Sequence, residues 1–452
     1  MANHAVEPGA EIVQRVRAAG VVGAGGAGFP AHVKLAAAHV DAVIANGAEC
    51  EPLVHVDQEL MITRADDVVR GLRFAMQATH AGRGFLGVKQ RYTQAITALR
   101  QAAAGFPDIS IAELGNFYPA GDEQVLVYDV LGRVVPEGGI PLNVGAVVQN
   151  VESLINIDQA QAGLPVVTKH ITVAGDVARP VTVRVPVGIT LREVIDLAGG
   201  ARTPDALVLN GGAMMGTVVQ SLDAPVTKTT KLLLVLPRNH YLSNLRMQSQ
   251  ATFERRAKSA CDQCFICTDF CPRHNLGHAI EPHKLIRMLG SGLPVTDPQL
   301  AGAFLCCECR TCNYACPVHL LPGNVAIATK RALLQAGLKN PYHQETSADP
   351  FRDVRRVPIL RLISRLDLAR YDVAAPLTQA PQTYRRVRLL LKQHTGAPAR
   401  PIVAVGDRVQ VGEVVGEVPE GAIGARVHAS IAGIVREVSD AVVIEADQGA
   451  AG

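Results

Sequence analysis

The segments CDQCFICTDFCP, residues 261–272, and CCECRTCNYACP, residues 306–317, contain two sets of four cysteines at identical spacing. The eight cysteines are Cys261, Cys264, Cys267, Cys271, Cys306, Cys309, Cys312 and Cys316. Each set reads C-x2-C-x2-C-x3-C followed by proline, a spacing typical of thiolates that hold 4Fe-4S clusters. We therefore expect these cysteines to be the metal ligands of two 4Fe-4S clusters in a ferredoxin-like domain.

The same spacing predicts which cysteines share a cluster. Three thiolates at two-residue gaps can wrap one cube from a tight loop, whereas the fourth, before proline, ligates the other cube in two-cluster proteins. We expect cluster one to be held by Cys261, Cys264, Cys267 and Cys316. Cluster two is then held by Cys306, Cys309, Cys312 and Cys271.

Two alternatives concern the same cysteines. A pair of zinc knuckles is disfavoured, because zinc sites usually alternate paired ligands with longer gaps and often include histidine. Cys307 is able to replace Cys306 as a ligand, but the gap to Cys309 would then be a single residue. The favoured interpretation is that Cys307 is not a ligand.

Composition limits the class of protein. The chain of 452 residues is 48% hydrophobic and 19% charged, which is typical of several globular domains. A net charge of +3 and 4% aromatic residues without Trp argue against a nucleic-acid partner. The opening MANHAVEPGA lacks the features of an export signal, and apolar runs such as Leu232–Leu236 are too short to span a membrane. We expect a cytoplasmic protein without a direct membrane span.

A glycine loop near the start of the chain imitates a dinucleotide-binding fingerprint. Gly23, Gly25 and Gly28 satisfy G-x-G-x-x-G, but the preceding residues 11–20 have helical rather than strand periodicity. The helix–loop–helix context excludes a Rossmann unit. The loop still predicts a phosphate site, because small residues allow backbone amides to approach a phosphate, and Lys34 follows on the next helix.

Polar residues gather where two apolar strands are predicted to end. The strand over 42–45 leads to Asn46, Glu49 and Glu51, and the strand in VGAVVQN ends at Asn150. A further polar group starts a predicted helix and consists of Tyr118, Gly121, Asp122 and Glu123. Open α/β folds place ligands at such strand ends.

Four motifs together resemble the flavin-binding subunit of respiratory complex I and its relatives. They are GAGGAGFPAHVK at 23–34, NGAECEP at 46–52, YPAGDEQ at 118–124 and VVQNVESL at 147–154. The relatives include the RnfC component of the Rnf complex and the cobalamin reductases of bacterial propanediol-utilisation microcompartments. The resemblance covers nearly the whole chain. Ala48 and Cys50 stand where complex I has Asp and Ser.

The resemblance implies an FMN site on the glycine loop and NADH stacked on the flavin, with Glu49 and Glu123 as the catalytic candidates. The cofactor-binding residues it implies are Gly23, Gly25, Gly26, Gly28, Lys34, Asn46, Glu49, Glu51, Tyr118, Gly121, Glu123 and Asn150. Of these, the residues expected near NADH are Glu49, Glu51, Tyr118 and Glu123.

The expected fold is a multidomain α/β architecture. The predicted domains are a complex I 51-kDa-like FMN and NADH domain (8–160), a soluble-ligand-binding β-grasp domain (165–240), the two-cluster domain (250–335), a helical linker whose end is marked by Pro376 and Pro381 (336–394), and a barrel-sandwich hybrid (395–450). Carriers with this last fold modify a lysine, and 395–450 contains none, so a carrier role is excluded.

The resemblance predicts an NADH-dependent oxidoreductase that reduces cob(III)alamin and cob(II)alamin toward cob(I)alamin, for coenzyme B12 recycling in propanediol utilisation. The implied partners are NADH, a corrinoid, cob(I)alamin adenosyltransferase and shell proteins of a bacterial microcompartment, inside which the protein is expected. One alternative is the peripheral RnfC component of an ion-translocating Rnf complex, in which the hybrid domain precedes the flavin domain. Another is a cluster-bearing conduit without its own flavin, motivated by Ala48.

Overall fold

The computed structural model describes residues 8–294, 297–380 and 383–447. The segment before residue 8, in which no export signal is expected, lies outside these ranges, as do Pro381 of the predicted linker and residues 448–450 of the predicted last domain. Over the described ranges the predicted multidomain α/β architecture is confirmed.

A parallel four-stranded sheet is the centre of the first domain. The strands of the domain are β1 (Ala42–Gly47), β2 (Arg83–Lys89), β3 (Ile109–Leu114), the short separate β4 (Phe117–Tyr118) and β5 (Ala146–Asn150). The sheet order is β3-β2-β1-β5, with every pair parallel. Because both faces are covered, β1 and β5 are nearly continuous apolar runs.

Seven helices of the described chain surround this sheet. They are α1 (Pro8–Ala18), α2 (Ala31–Leu35), α3 (Val56–Thr63), α4 (Ala65–Thr79), α5 (Thr93–Ala103), α6 (Glu123–Leu131) and α7 (Val151–Gln161). The glycine loop connects α1 to α2, so the predicted helix–loop–helix context is confirmed. A strand does not precede the loop, which is therefore not a Rossmann turn.

A mixed sheet with one helix forms the β-grasp domain. Its elements are β6 (Thr168–Gly175), β7 (Val181–Pro186), α8 (Leu191–Leu197), β8 (Leu207–Asn210), β9 (Thr217–Val218) and β10 (Leu232–Leu236). The helix begins after Thr190, whose hydroxyl accepts the amide of Glu193 while the Glu193 carboxylate accepts the amide of Thr190. This capping box fixes the start of the helix.

Short helices carry the two cysteine segments. They are α9 (Tyr241–Arg246), α10 (Gln250–Ala260), α11 (Ile266–Asp269), α12 (Pro282–Gly290), α13 (Thr311–Ala315) and α14 (Pro322–Gln335), with 3-10 helices at His274–Leu276 and Pro298–Leu305. Cys261 follows α10 and Cys306 follows the second 3-10 helix, so each ligand loop starts from an ordered element.

The segment 336–394 is more than the predicted helical linker. It contains α15 (Ile359–Arg365), but also β11 (Val357–Pro358) paired with β4, and β12 (Leu377–Thr378) paired with β7. β13 (Arg386–Leu390) belongs to the C-terminal domain. Alternating arginines conceal this strand in the sequence, because the inward side chains Val387 and Leu389 occupy every second position.

The C-terminal domain consists of two small antiparallel sheets. Its other strands are β14 (Arg400–Pro401), β15 (Arg408–Val409), β16 (Val414–Glu417), β17 (Val427–His428), β18 (Gly433–Val438) and β19 (Ala441–Glu445). The orders are β13-β19-β18-β15 and β14-β16-β17, and the strands share one apolar core with the β-grasp domain. Among the described residues, no helix has the length and apolar character required to cross a bilayer.

Candidate functional site

The carboxyl ends of β1 and β5 form the predicted ligand crevice. β1 lies between β2 on one side and β5 on the other, and Asn46 is in register with Asn150. The chain runs from β1 to β2 and β3 on one side of β1 and later crosses to β5 on its other side. Such a switch point of strand order opens a crevice outside the strand ends.

The glycine loop lies at this crevice. A Cβ on Gly25 would stand 3.6 Å from the Cβ of Asn150, and a Cβ on Gly26 would meet no atom within 4 Å. The amide of Gly23 donates to the Phe29 carbonyl, which closes the base of the loop. Among the described residues, the amides of Gly25 and Gly26 have no hydrogen-bond acceptor. The loop therefore presents unsatisfied donors beside open space, which fits a phosphate group.

A buried ionic network joins polar residues at the strand ends. The Lys231 ammonium lies 2.6 Å from a Glu49 carboxylate oxygen and 2.7 Å from an Asp57 oxygen, and the Asn150 amide donates to the same Asp57 oxygen at 2.8 Å. Burial alone would lower the pKa of Lys231, but Asp57 and Glu49 raise it well above its usual range. The lysine is therefore a fixed cation under the site, supplied by the β-grasp domain.

Glu51 holds the glycine-rich loop of the β-grasp domain. Its carboxylate accepts the backbone amides of Met214 at 2.8 Å and Met215 at 2.7 Å. Burial raises the pKa of Glu51 to about 7, although both amides oppose the shift. Gly212 leaves no room for a side chain there, since its Cβ would stand 2.1 Å from the Glu51 carboxyl carbon.

Lys34 and Glu123 meet at the other side of the crevice. The Lys34 ammonium lies 3.3 Å from Glu123, and it donates to the Val148 carbonyl at 3.2 Å. Asn46 donates its side-chain amide to the Gly121 carbonyl at 2.9 Å. The structure thus brings together Asn46 on β1, Lys34 on α2 and Glu123 at the start of α6, all of which are predicted site residues.

Tyr118 differs from its predicted position. The side chain is 1% exposed, and its hydroxyl donates to the Cys309 carbonyl at 2.7 Å. A ring enclosed in this way cannot stack on a nicotinamide without moving. Tyr118 instead connects β4 to the second cysteine segment. Arg273, which follows the first cysteine segment, makes another connection by pairing with Asp122 at 2.9 Å.

One cavity is lined by cysteines from both segments. Cys261, Cys264 and Cys267 line it together with Cys316, and the cavity measures about 320 Å³. Burial and the neighbouring thiolate of Cys316 raise the pKa of Cys267 to about 12. The predicted cluster-one set therefore converges, although its fourth member belongs to the other segment.

The second group consists of the other four predicted ligands, which are Cys271, Cys306, Cys309 and Cys312. After burial, the main influences that raise the pKa of Cys312 are Cys306 and Cys271. Cys307 lies in the same group, where a hydrogen bond with Cys309 lowers the pKa of Cys307. A bound cluster would reverse the raised pKa values, because a coordinating thiol is deprotonated. The donor chemistry fits a cluster, and the role of Cys307 stays a prediction.

Sequence reasoning missed Asp57, Lys231 and Arg273. Lys231 is 182 residues from Glu49, and a single lysine beside β10 carries no recognisable motif. Asp57 stands in the first turn of α3, where an acidic residue is ordinarily explained by the helix dipole. Only its burial, with 1% of the residue exposed, marks it as part of the site.

Four domain families match the chain in the order that the structure shows. The Nuo51 FMN-binding domain matches residues 16–159, the SLBB domain 170–218, the 4Fe-4S dicluster domain 260–321 and the RnfC barrel sandwich hybrid domain 373–451. An FMN-binding domain joined to a 4Fe-4S dicluster domain defines a flavin and iron–sulfur electron-transfer protein.

Relatives identify the family. The cobalamin reductase PduS of Citrobacter freundii is 46% identical over 433 residues, 95% of each chain. The chain belongs to this cobalamin reductase family. The C component of the proton-translocating ferredoxin:NAD(+) oxidoreductase complex of Clostridium ljungdahlii is 35% identical over 58% of this chain and 56% of its own.

A solved structure shares the fold. The NAD+-reducing NiFe hydrogenase in its H2-reduced state aligns with a TM-score of 0.50 and 23% identity, covering 75% of this chain and 63% of that one. At this identity the likeness concerns the fold alone.

Proposed function

We propose that the protein is an NADH-dependent cobalamin reductase that reduces cob(III)alamin and cob(II)alamin toward cob(I)alamin. The observation that carries this proposal is the match to a cobalamin reductase along 95% of both chains. The geometry supports it, because Tyr118 and Arg273 join the candidate flavin crevice directly to the second cysteine group.

The candidate FMN site uses residues on three sides of the crevice. The amides of Gly25 and Gly26 are suited to the phosphate, with Gly23 and Gly28 shaping the turn. Lys34, Asn46, Gly121 and Asn150 line the strand ends, where they orient the cofactor in this proposal. Bound FMN supplies the exchange between a hydride pair and single electrons, which the clusters carry singly.

NADH binding is proposed beside Glu49, Glu51 and Glu123. Lys231 holds Glu49 in one position, and the Met214 and Met215 amides hold Glu51. Preorganised polar groups of this kind orient a ligand at little entropic cost. Tyr118 supports the loop that carries Gly121 and Glu123 rather than stacking on the nicotinamide.

The two cysteine groups are proposed to be the crossed cluster ligands. The second group contacts the flavin domain through Tyr118 and Arg273, whereas the first group includes Cys264, an exposed cysteine. In this proposal one ligand set lies toward the crevice and the other toward the molecular surface. This order suits transfer from an internal donor to an external acceptor.

The RnfC component of an Rnf-type complex is the second candidate. A relative of that kind matches 58% of this chain, which supports it. The match of the barrel sandwich hybrid domain at residues 373–451, after the cluster domain, favours the first candidate. Co-purification with membrane proteins of such a complex would decide for the Rnf-type role.

The decisive experiment for the function is anaerobic reduction of hydroxocobalamin by NADH with the reconstituted protein, with and without a cob(I)alamin adenosyltransferase. We expect corrinoid reduction that requires NADH, together with FMN near one per chain. Flavin-loaded, cluster-loaded protein that fails with the adenosyltransferase present would refute the proposal. Protein that acquires clusters but never flavin would support the conduit alternative.

The proposed partners are the corrinoid, the adenosyltransferase that uses its reduced form, and shell proteins of a microcompartment. The relative's name supports the corrinoid, and the chemistry of an unstable reduced product supports a nearby consumer. Localisation inside a microcompartment is tested by fractionation of purified compartments. Absence of the protein from the enclosed fraction would contradict the proposed localisation.

A further inference from the structure

A pocket that is open to solvent lies between the second cysteine segment and the β-grasp domain. Its walls include Met214 from the β-grasp loop, Arg246 on α9, Arg310 and Tyr314 from the second cysteine segment, and Arg365 on α15. The pocket is separate from the crevice at the ends of β1 and β5.

Three arginines give this pocket positive charge, and none of its lining residues is acidic. Arg246 donates to the carbonyls of Ala213 and Met214, each at 2.6 Å. Arg310 donates to the Met214 carbonyl at 2.8 Å, and its buried Nε lacks a partner among the described residues. Arg365 stands at the exposed mouth.

The excess of positive charge in the pocket favours the binding of an anion. Within the described ranges, Arg246, Arg310 and Arg365 form no ion pair with a carboxylate. Burial, followed by repulsion from Arg310, lowers the pKa of Arg246 to about 10. Buried charges are ordinarily paired, and the planar guanidinium matches the oxygens of a phosphate ester. The rings of Tyr241 and Tyr314 add flat walls for an organic group.

Balancing the charge of the clusters is the simpler explanation for the arginines. It accounts for Arg310, which lies between two predicted cluster ligands, but not for Arg246 and Arg365, which line the same pocket from α9 and α15. The donation from Arg310 to Met214 also directs its guanidinium toward the β-grasp loop. A bound anion accounts for the charge, the cavity and the donor together.

We propose that this pocket binds the phosphate of the corrinoid's nucleotide tail and so holds the acceptor beside the second cysteine segment, which carries predicted ligands of both clusters. The inference rests on the proposed function. In this arrangement the phosphate lies against the arginines and the corrin ring stays outside the mouth. NADH also carries phosphate esters, so the test must separate the two sources.

The experiment is calorimetric titration of the oxidised holoprotein with cyanocobalamin and with dicyanocobinamide, which lacks the phosphate and the nucleotide. Arg246→Gln and Arg310→Gln are compared with Arg331→Gln, an exposed arginine on α14. We expect about tenfold weaker cobalamin binding in the two pocket variants, as for a lost charge-assisted hydrogen bond, and unchanged cobinamide binding. Inorganic phosphate should compete with cobalamin in the wild type.

Equal weakening for both corrinoids, or no weakening for either, would overturn the proposal. Competition by NADH at the variant-sensitive site would assign the pocket to the pyridine nucleotide and overturn the corrinoid assignment. Variant-sensitive cobalamin binding without NADH-driven reduction would refute the proposed function alone. Normal reduction with variant-insensitive binding would refute the pocket alone.

Discussion

The hydroxyl of Tyr118 donates a 2.7 Å hydrogen bond to the backbone carbonyl of Cys309. The two residues are 191 positions apart and belong to different domains. The bond joins the loop before α6 to a candidate cluster ligand at a fully enclosed position. Together with the Arg273–Asp122 ion pair it is a direct structural link between the flavin domain and the cysteine groups, and we expect electron transfer to cross this contact.

Tyr118→Phe removes this bond and leaves the Cys309 carbonyl without its donor. We expect a loss of about 1 kcal/mol in the free energy of unfolding, the usual value for one hydrogen bond. NADH should still bleach the flavin at the wild-type rate, whereas bleaching of the clusters should slow. Stopped-flow spectroscopy under anaerobic conditions measures both phases.

Tyr384→Phe is the matched control for that variant. The Tyr384 hydroxyl is buried and has no hydrogen-bond partner among the described residues, so its removal should alter neither phase. Slowing of the flavin phase itself in Tyr118→Phe would instead place Tyr118 in NADH binding, as the sequence motif predicts.

Crossed ligation predicts how cysteine variants pair. Cys316→Ser should change the same electron paramagnetic resonance signal as Cys261→Ser, because both line one cavity. Cys271→Ser should change the other signal, together with Cys309→Ser. Cys50→Ser, a buried cysteine beside Gly121 and apart from both segments, is the control and should retain both signals.

Pairing by segment would contradict crossed ligation. In that case Cys316→Ser would share its effect with Cys309→Ser and leave the Cys261 signal intact. Loss of both signals in every variant would show that the crossed pair folds as one unit.

Lys231→Met leaves the buried carboxylates of Glu49 and Asp57 without their cation. Breaking a buried ion pair on one side costs about 3–5 kcal/mol, so we expect a comparable loss in urea unfolding. FMN content should fall too, because Asn150 loses its fixed partner. Lys339→Met, at an exposed lysine, should change neither quantity.

The raised pKa of Glu51 predicts that the free energy of unfolding depends on pH. Its pKa is raised from 4.5 to about 7 by burial, so the folded state binds the proton more tightly than the unfolded state. The resulting stability is complete below pH 4.5 and is lost as the pH rises toward about 7. At about 1.4 kcal/mol per pKa unit, a rise of the pKa from 4.5 to about 7 corresponds to a loss of roughly 3–4 kcal/mol.

Glu51→Gln removes this titration while it keeps an acceptor for the Met214 amide. The variant should therefore gain stability relative to the wild type as the pH rises from roughly 5 to 7, because only the wild type loses the contribution of a protonated Glu51. Chemical denaturation at several pH values measures it. A difference that does not change with pH would show that Glu51 ionises normally.

Much of the architecture follows from local sequence. The cysteine spacing and the strand end at Asn150 each depend on a few neighbouring residues, and the structure contains the predicted strand, which ends at Asn150. Cys316 lines one cavity with Cys261, Cys264 and Cys267, which agrees with the crossed arrangement that the spacing predicts, and the ligand assignment itself stays a prediction.

Other features depend on contacts between distant segments. Tyr118 is predicted at a ligand surface but lies against Cys309, since its burial is decided by how two domains pack. Lys231 joins the site only through the position of the β-grasp sheet. The strand β13 is hidden by its exposed arginines. Single-sequence patterns do not contain this information.

The most direct test of the proposed electron path is a rapid-mixing experiment in which NADH, holoprotein and cob(II)alamin are combined anaerobically. We expect flavin bleaching to precede cluster bleaching and corrinoid reduction to follow, with Cys309→Ser retaining the first phase and losing the last. Corrinoid reduction at the wild-type rate in Cys309→Ser would contradict this path, because electrons would then reach the corrinoid without the second cysteine group.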